Sequence, residues 1–181
     1  MKNKLKKILY PVTFRFLKLF YPEAKLDNFS PLILLRFVYF QKIFSVNRRV
    51  PWPVHNSSIV LAPEKIENNG SSPGFSIANY IDGRNGICLG KNIFIGPRVS
   101  IISQDHNNLD YNDYVVDKKI IIGENCLLTS GCIILPGVEL GNHTIVAAGA
   151  VVTKSFPEGN QIIGGNPARV LKTLGDYKCV E

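Results

Sequence analysis

The chain has four cysteines in 181 residues, and none of them forms a CxxC pair or a Cys/His cluster at metal-ligand spacing. This excludes a zinc finger and a disulfide framework, and it makes a reducing cytoplasm the expected compartment. No apolar run reaches the roughly 20 residues that cross a bilayer. No short apolar core followed by small residues reads as a signal peptide. A GxSxG motif and the spacing of a serine triad are also missing, which argues against an acyl-enzyme route. Acidic residues are scarce at one end only. Residues 1–50 carry eleven Lys/Arg against Glu23 and Asp27, whereas the other 131 carry ten basic and twelve acidic groups. The basic character therefore belongs to the N-terminal segment alone. There it interleaves with Ile8, Leu9, Tyr10, Phe14, Phe16, Leu17, Leu19, Phe20 and Tyr21, so residues 1–50 are expected to form a basic amphipathic helical segment. Such a segment can cap the rest of the chain or lie peripherally on an anionic membrane surface. No recognition motif accompanies the charge, so nucleic acid is not an expected partner.

Beyond a connecting flank at residues 51–74, the composition turns to Gly, Ile, Val and Asn and an internal period emerges. Steps of six give Leu89, Ile95 and Ile101, then Ile122, Leu128, Ile134, Leu140, Val146 and Val152. Four places after an aliphatic residue stand Ile93 and Val99, then Cys126, Cys132, Val138, Thr144 and Ala150, nearly all small or β-branched. Both series are expected to point inward, which makes Cys126 and Cys132 packing thiols rather than reactive ones. Gly90, Gly96, Gly123 and Gly141 each follow an aliphatic position, where a tight turn between short strands favours glycine. Three six-residue sides close a coil of eighteen residues, and coils must stack to bury their interiors. The expected fold is an all-β solenoid, a left-handed parallel β-helix over residues 75–163. A polar loop at 103–119 interrupts it, as functional loops interrupt regular frames. Asn166 before Pro167 reads as a helix start, so residues 164–181 are expected to hold a short C-terminal helix, ending near Gly175, and a tail.

The stretches NGICLGKNIFIGPRVSIISQDHN (85–107), IIIGENCLLTSGCIILPGVELGNHTIVAAGAVVTKSFPEG (120–159) and GGNPARVLKTL (164–174), with RRVPWPVH (48–55) ahead of them, resemble the hexapeptide-repeat acyltransferases. Within that family they are most similar to the sugar O-acetyltransferases of capsule and exopolysaccharide synthesis. The resemblance implies acetyl-CoA as co-substrate and a homotrimer with sites between protomers. It also implies no required metal. The activity implied is O-acetylation of a sugar hydroxyl in a surface polysaccharide or its precursor. Alternatives are N-acetylation of an amino sugar nucleotide and a non-catalytic scaffold. A zinc carbonic anhydrase would need three converging histidines, and only His106 and His143 fall within the repeat region. Leu127, Leu128 and Thr129 depart from the family's Trp-Ile-Gly, so a corner glycine is missing there.

Acetyl transfer to a hydroxyl needs a base, and an imidazole titrates in the right range. His106, in SQDHN, matches the family's catalytic histidine. Asp105, Asp82 and Asp110 are the carboxylates that could orient it, and Asp105, adjacent in sequence, is expected to act with His106 as a catalytic residue. Asn79, Asp82 and His55 are the expected acceptor-binding residues. Ser130, Gly131, Ala147, Ala148 and Gly149 match the stretch along which the pantetheine arm runs, and Lys154 and Arg169 match positions that meet phosphates.

Overall fold

The computed structural model describes residues 11–22, 30–116 and 118–178. Its body is a three-walled parallel β-solenoid. The first wall stacks Ile59–Leu61, Tyr80–Asp82, Ser100–Ile102, Ile133–Ile134 and Val151–Val152. The second stacks Ile66–Glu67, Ile87–Leu89, Ile120–Ile122 and Glu139–Leu140. The third stacks Phe94–Ile95, Leu127–Leu128, Thr144–Val146 and Gln161–Gly165. One coil corresponds to eighteen residues, as Ile133 against Val151 and Ile121 against Glu139 show.

The register turns the six-residue step into columns of side chains. Ile81, Ile101, Ile134 and Val152 stack in the first wall, Leu89, Ile122 and Leu140 in the second, and Ile95, Leu128, Val146 and Ile163 in the third. All are buried except Ile95, which is half-buried, and Cys126, Cys132, Val138, Thr144 and Ala150 are buried with them. Each full burial of such an aliphatic chain is worth about 1.5–3 kcal/mol against the exposed state.

The corner glycines act differently from the expectation. Gly90, Gly123 and Gly141 have ordinary backbone angles, and the left-handed positions fall on Asn92, Asn125, His143, Gly131, Gly137 and Gly149. What Gly123 lacks is room. A Cβ there would stand 2.7 Å from Asn142 N and 2.8 Å from Gly141 C of the next coil. At the departing corner, Thr129 Oγ1 donates to Val146 O at 2.6 Å, so a side-chain hydrogen bond spans the place of the missing glycine.

Two boundaries differ from the sequence reading. The first coil already includes Ile59–Leu61 and Ile66–Glu67, inside the stretch read as a connecting flank, with Val60 and Ile66 buried. The C-terminal helix is absent among the described residues. Ala168–Thr173 is a strand that folds back antiparallel on Gln161–Gly165, turning at Asn166–Pro167. A helix of about eight residues is marginal alone, whereas the last parallel strand presents an open edge whose backbone groups need partners.

At the other end, residues 11–17 are helical and helix Pro31–Val38 runs into a π-helical turn, Tyr39–Ile43. Leu17, Tyr21, Leu34, Phe37 and Val38 share the hydrophobic cluster of Trp52, Val54 and Val60, so this segment caps the first coil. Gln41 is its hub. Its Oε1 accepts from Tyr21 Oη at 2.6 Å and Val54 N at 2.9 Å, and its Nε2 donates to Trp52 O at 3.1 Å. Residues 1–10 and 23–29 of the expected amphipathic segment lie outside the described residues.

Candidate active site

The interrupting loop leaves the corner between the first and second walls. It forms an arm, with Asp105–His106 paired antiparallel to Tyr114–Val115. The polar side chains of the loop hold this hairpin together. Asn107 Nδ2 donates to Asp113 Oδ2 at 3.2 Å, and Asp113 Oδ1 accepts from Tyr114 N at 2.9 Å. His106 is exposed on the arm, its ring 4.7 Å from that of Tyr114. Its Nδ1 lies 2.7 Å from Tyr111 O. A carbonyl can only accept, so this contact places the proton on Nδ1 and leaves the lone pair on Nε2. Nε2 is thus the atom able to take a proton.

None of the three carboxylates considered as orienting groups bonds that ring. Asp105 Oδ1 accepts from the backbone N of His106 at 2.8 Å. Asp110 Oδ1 accepts from Asn112 N at 2.9 Å. Asp82 is fully buried, and Arg84 holds both its oxygens, Nε to Oδ1 at 2.9 Å and Nη2 to Oδ2 at 2.8 Å. The orienting group is instead the Tyr111 carbonyl, which leaves no trace in residue identity. Sequence reasoning also missed Arg84 and Tyr114. The guanidinium carbon stands 5.5 Å from the Tyr114 ring centre, and the pairing with Asp82 raises the Arg84 pKa further above its ordinary range.

The remaining histidines and Asn79 lie on other edges. His106 follows the C-terminal end of a first-wall strand, whereas His55 and Asn79 precede the N-terminal ends of strands in that wall. His55 Nδ1 pairs with Ser57 Oγ at 2.8 Å and its ring packs edge-on against Phe37. Burial, and then Arg36, hold its pKa below the usual imidazole value. Asn79 is buried, and its Nδ2 donates to Gly96 O at 2.9 Å. Within one protomer, then, His55 and Asn79 are apart from His106. His143, at the corner between the second and third walls, pairs with Asn160 Oδ1 at 2.9 Å and packs against Tyr177. The three histidines occupy three different edges. Among the described residues no group of three His, Cys, Asp or Glu could hold a metal ion.

The small residues lie between the third and first walls, on the edge that also carries His55 and Asn79. Gly149 N donates to Ser130 O at 3.0 Å, Gly131 N to Pro97 O at 2.9 Å and Ala147 N to Ile163 O at 2.8 Å. A Cβ on Gly131 or Gly149 would meet nothing within 4 Å, so this edge is open to a ligand passing along it. Lys154 returns to the edge of the arm. Its Nζ lies 5.7 Å from the Phe156 ring centre, and it borders a cavity of about 460 Å³ shared with Ser155, Glu158, Gln161, Val170 and Thr173. Arg169 is exposed on the C-terminal hairpin, opposite Gly164. The first wall is thus bordered by His106 and Lys154 along one edge and by the small residues along the other.

Residues 119–154 match the family model described as bacterial transferase hexapeptide (six repeats). A galactoside O-acetyltransferase of Lactococcus lactis is 34% identical over 93 residues, 50% of this chain and 44% of that protein. The chain spans about half the length of the curated relatives it matches. A hexapeptide-repeat-containing acetyltransferase of Vibrio cholerae, solved with acetyl-coenzyme A, superposes over 91% of this chain and 87% of that one, with TM-score 0.50 and 23% identity. A variant of the N-acyltransferase AntD of Bacillus cereus, solved with dTDP-4-amino-4,6-dideoxyglucose and coenzyme A, covers 68% of this chain and 81% of its own, with TM-score 0.54 and 19% identity. These two structures share the fold. Residues 119–154 therefore match the bacterial transferase hexapeptide repeat, and over about half of its length the chain is similar to a named O-acetyltransferase.

Proposed function

We propose that the chain is an acetyl-CoA-dependent O-acetyltransferase acting on a sugar hydroxyl of a surface polysaccharide or its precursor, with His106 as general base. The observation that carries this reading is the single imidazole held out on the arm, with Nδ1 fixed by Tyr111 O and Nε2 left as a base. Nε2 takes the proton of the acceptor hydroxyl as its oxygen attacks the thioester carbonyl carbon. The tetrahedral oxyanion then collapses, the carbon–sulfur bond breaks, and the imidazolium returns its proton to the leaving thiolate. No enzyme-bound acyl group is needed.

The two edges of the first wall give the site its second partner. A pantetheine arm along Ser130, Gly131, Ala147, Ala148 and Gly149, with Lys154 and Arg169 toward its phosphates, meets His106 when the first wall of one protomer faces a neighbour. Outward Ile59, Ile133 and Val151 supply apolar area for that contact, and a homotrimer is the assembly we infer. The named activity of the Lactococcus lactis relative favours a hydroxyl over an amine as acceptor. Thiol release from acetyl-CoA against galactosides, oligosaccharides and amino sugar nucleotides, with product masses, tests the reading. Acetylation confined to amines would replace it with the N-acetyltransferase alternative, and no turnover on any acceptor would reject it.

The N-terminal cap supports a peripheral place at the cytoplasmic face of a membrane. Leu32, Ile33, Ile43 and Phe44 are exposed beside Arg36, Arg48 and Arg49, the mixture that binds anionic lipid surfaces. Co-sedimentation with phosphatidylserine vesicles but not with phosphatidylcholine vesicles is the expected result. Equal recovery in both supernatants would leave the segment as a cap only.

A further inference from the structure

We propose that the Asp82–Arg84 pair is a latch that positions His106, acting through the Tyr114 ring. The inference rests on His106 being the base and removes Asp82 from the acceptor-binding set. A two-stranded hairpin is marginally stable by itself, and the ladder of this arm has two residue pairs, extended by Asn107 N donating to Asp113 O at 3.0 Å. Its position must therefore come from where it is tied to the solenoid.

The ties converge on the corner Asp82-Gly83-Arg84-Asn85. This corner is itself rigid, since Gly83 N donates to Leu61 O at 3.0 Å in the coil below and Ser103 N to Asp82 O at 3.1 Å in the coil above. It grips both feet of the arm. Asn85 N donates to Ser103 Oγ at 2.9 Å on the outgoing side, and Asn85 Nδ2 to Val115 O at 2.9 Å on the returning side. Arg84 then reaches the arm's working end. The buried Asp82 carboxylate fixes the guanidinium by two parallel hydrogen bonds, the arrangement that leaves Arg least freedom. The guanidinium lies over Tyr114, whose ring packs against the imidazole. These two contacts through one ring bring the guanidinium to within about 10 Å of the imidazole. An acceptor has little to bind on Asp82, because the carboxylate is buried and both oxygens are engaged.

The test combines kinetics with amide hydrogen exchange on the full chain. Arg84→Gln and Tyr114→Leu should each lower kcat by roughly 10- to 100-fold, the loss expected when a reacting group is displaced by about an ångström. KM values should stay within about twofold. Tyr114→Phe, which keeps the ring, should restore most of what Tyr114→Leu loses. Arg84→Lys, which cannot form the two-pronged pair, should not rescue. Because both residues act along one path, the double variant Arg84→Gln/Tyr114→Leu should be little worse than either single one. Exchange should quicken across 105–115 in Arg84→Gln and stay unchanged in the coil peptides. A loss confined to acceptor KM, multiplicative losses in the double variant, or unchanged exchange in the arm would each overturn the latch. Loss of the transferase reading shows separately, as wild-type protein without turnover, and the exchange measurement judges the latch even then.

Discussion

Replacing Gly123 by Ala and, separately, Gly131 by Ala distinguishes close coil contact from backbone conformation as the reason for glycine in this repeat. A Cβ on Gly123 would stand 2.5 Å from Asn142 Oδ1 and 2.7 Å from Asn142 N, so the two coils must part. Parting strains the hydrogen bonds Gly123 N to Leu140 O, 2.8 Å, and Glu124 N to Asn142 Oδ1, 2.7 Å. Overpacking of this kind costs about 1–3 kcal/mol, and weakening two hydrogen bonds adds about 0.5–1.5 kcal/mol each. Gly131 has space for a Cβ but sits at φ +70°. There alanine costs about 1–2 kcal/mol for the left-handed backbone, partly offset by about 0.4–1 kcal/mol through the restricted unfolded chain. Gly123→Ala should therefore lose about 3 kcal/mol and Gly131→Ala about 1 kcal/mol. In a chain of this size that corresponds to melting temperatures lower by about 6–12 °C and about 2–4 °C. Thermal unfolding followed by circular dichroism, at one fixed protein concentration, measures both. A Gly131→Ala loss equal to or larger than that of Gly123→Ala would refute the stacking argument.

Burial pushes the Cys126 thiol up and that of Cys132 up to about 12, so iodoacetamide at pH 8 should label neither in the native protein and both after unfolding, as read by peptide mass spectrometry. His55 is held below its ordinary value, so folding favours its neutral form. That contribution is present above the unfolded value of about 6.5 and is lost as pH falls through the folded value. The melting temperature should drop as the solution is acidified through that window, and His55→Gln should flatten the drop. An identical pH profile in the variant would contradict it. Truncating Leu128, fully buried in the third wall, to Ala should cost about 2–5 kcal/mol by equilibrium denaturation. A loss under 1 kcal/mol would mean that the column is not packed as described.

The column was legible because its signal is repeated. Ile122, Leu128, Ile134, Leu140, Val146 and Val152 recur at one step, and stacking gives each the same environment. The first coil escaped notice although Val60 and Ile66 keep that step. Ser72 and Ala78 stand at the next steps, no third-wall strand forms there among the described residues, and Val60 pairs with Ile81, 21 residues on, so the step is lost. Asn166-Pro167 was misread because the same dipeptide serves a helix start and a tight turn, and the choice belongs to the open edge of Gln161–Gly165. His106 could be singled out by its place in an interrupting polar loop. The group that orients it could not, because any residue at 111 offers a carbonyl. Asp82 looked free in the sequence, and only the fold reveals that Arg84, two residues on, occupies it.

The most direct test of the central claim is the rate of thiol release from saturating acetyl-CoA, with a sugar acceptor, by wild-type protein and by His106→Ala. The account predicts a fall of roughly 10²- to 10⁴-fold, with the circular dichroism spectrum and assembly size unchanged. Wild-type turnover in His106→Ala would contradict it.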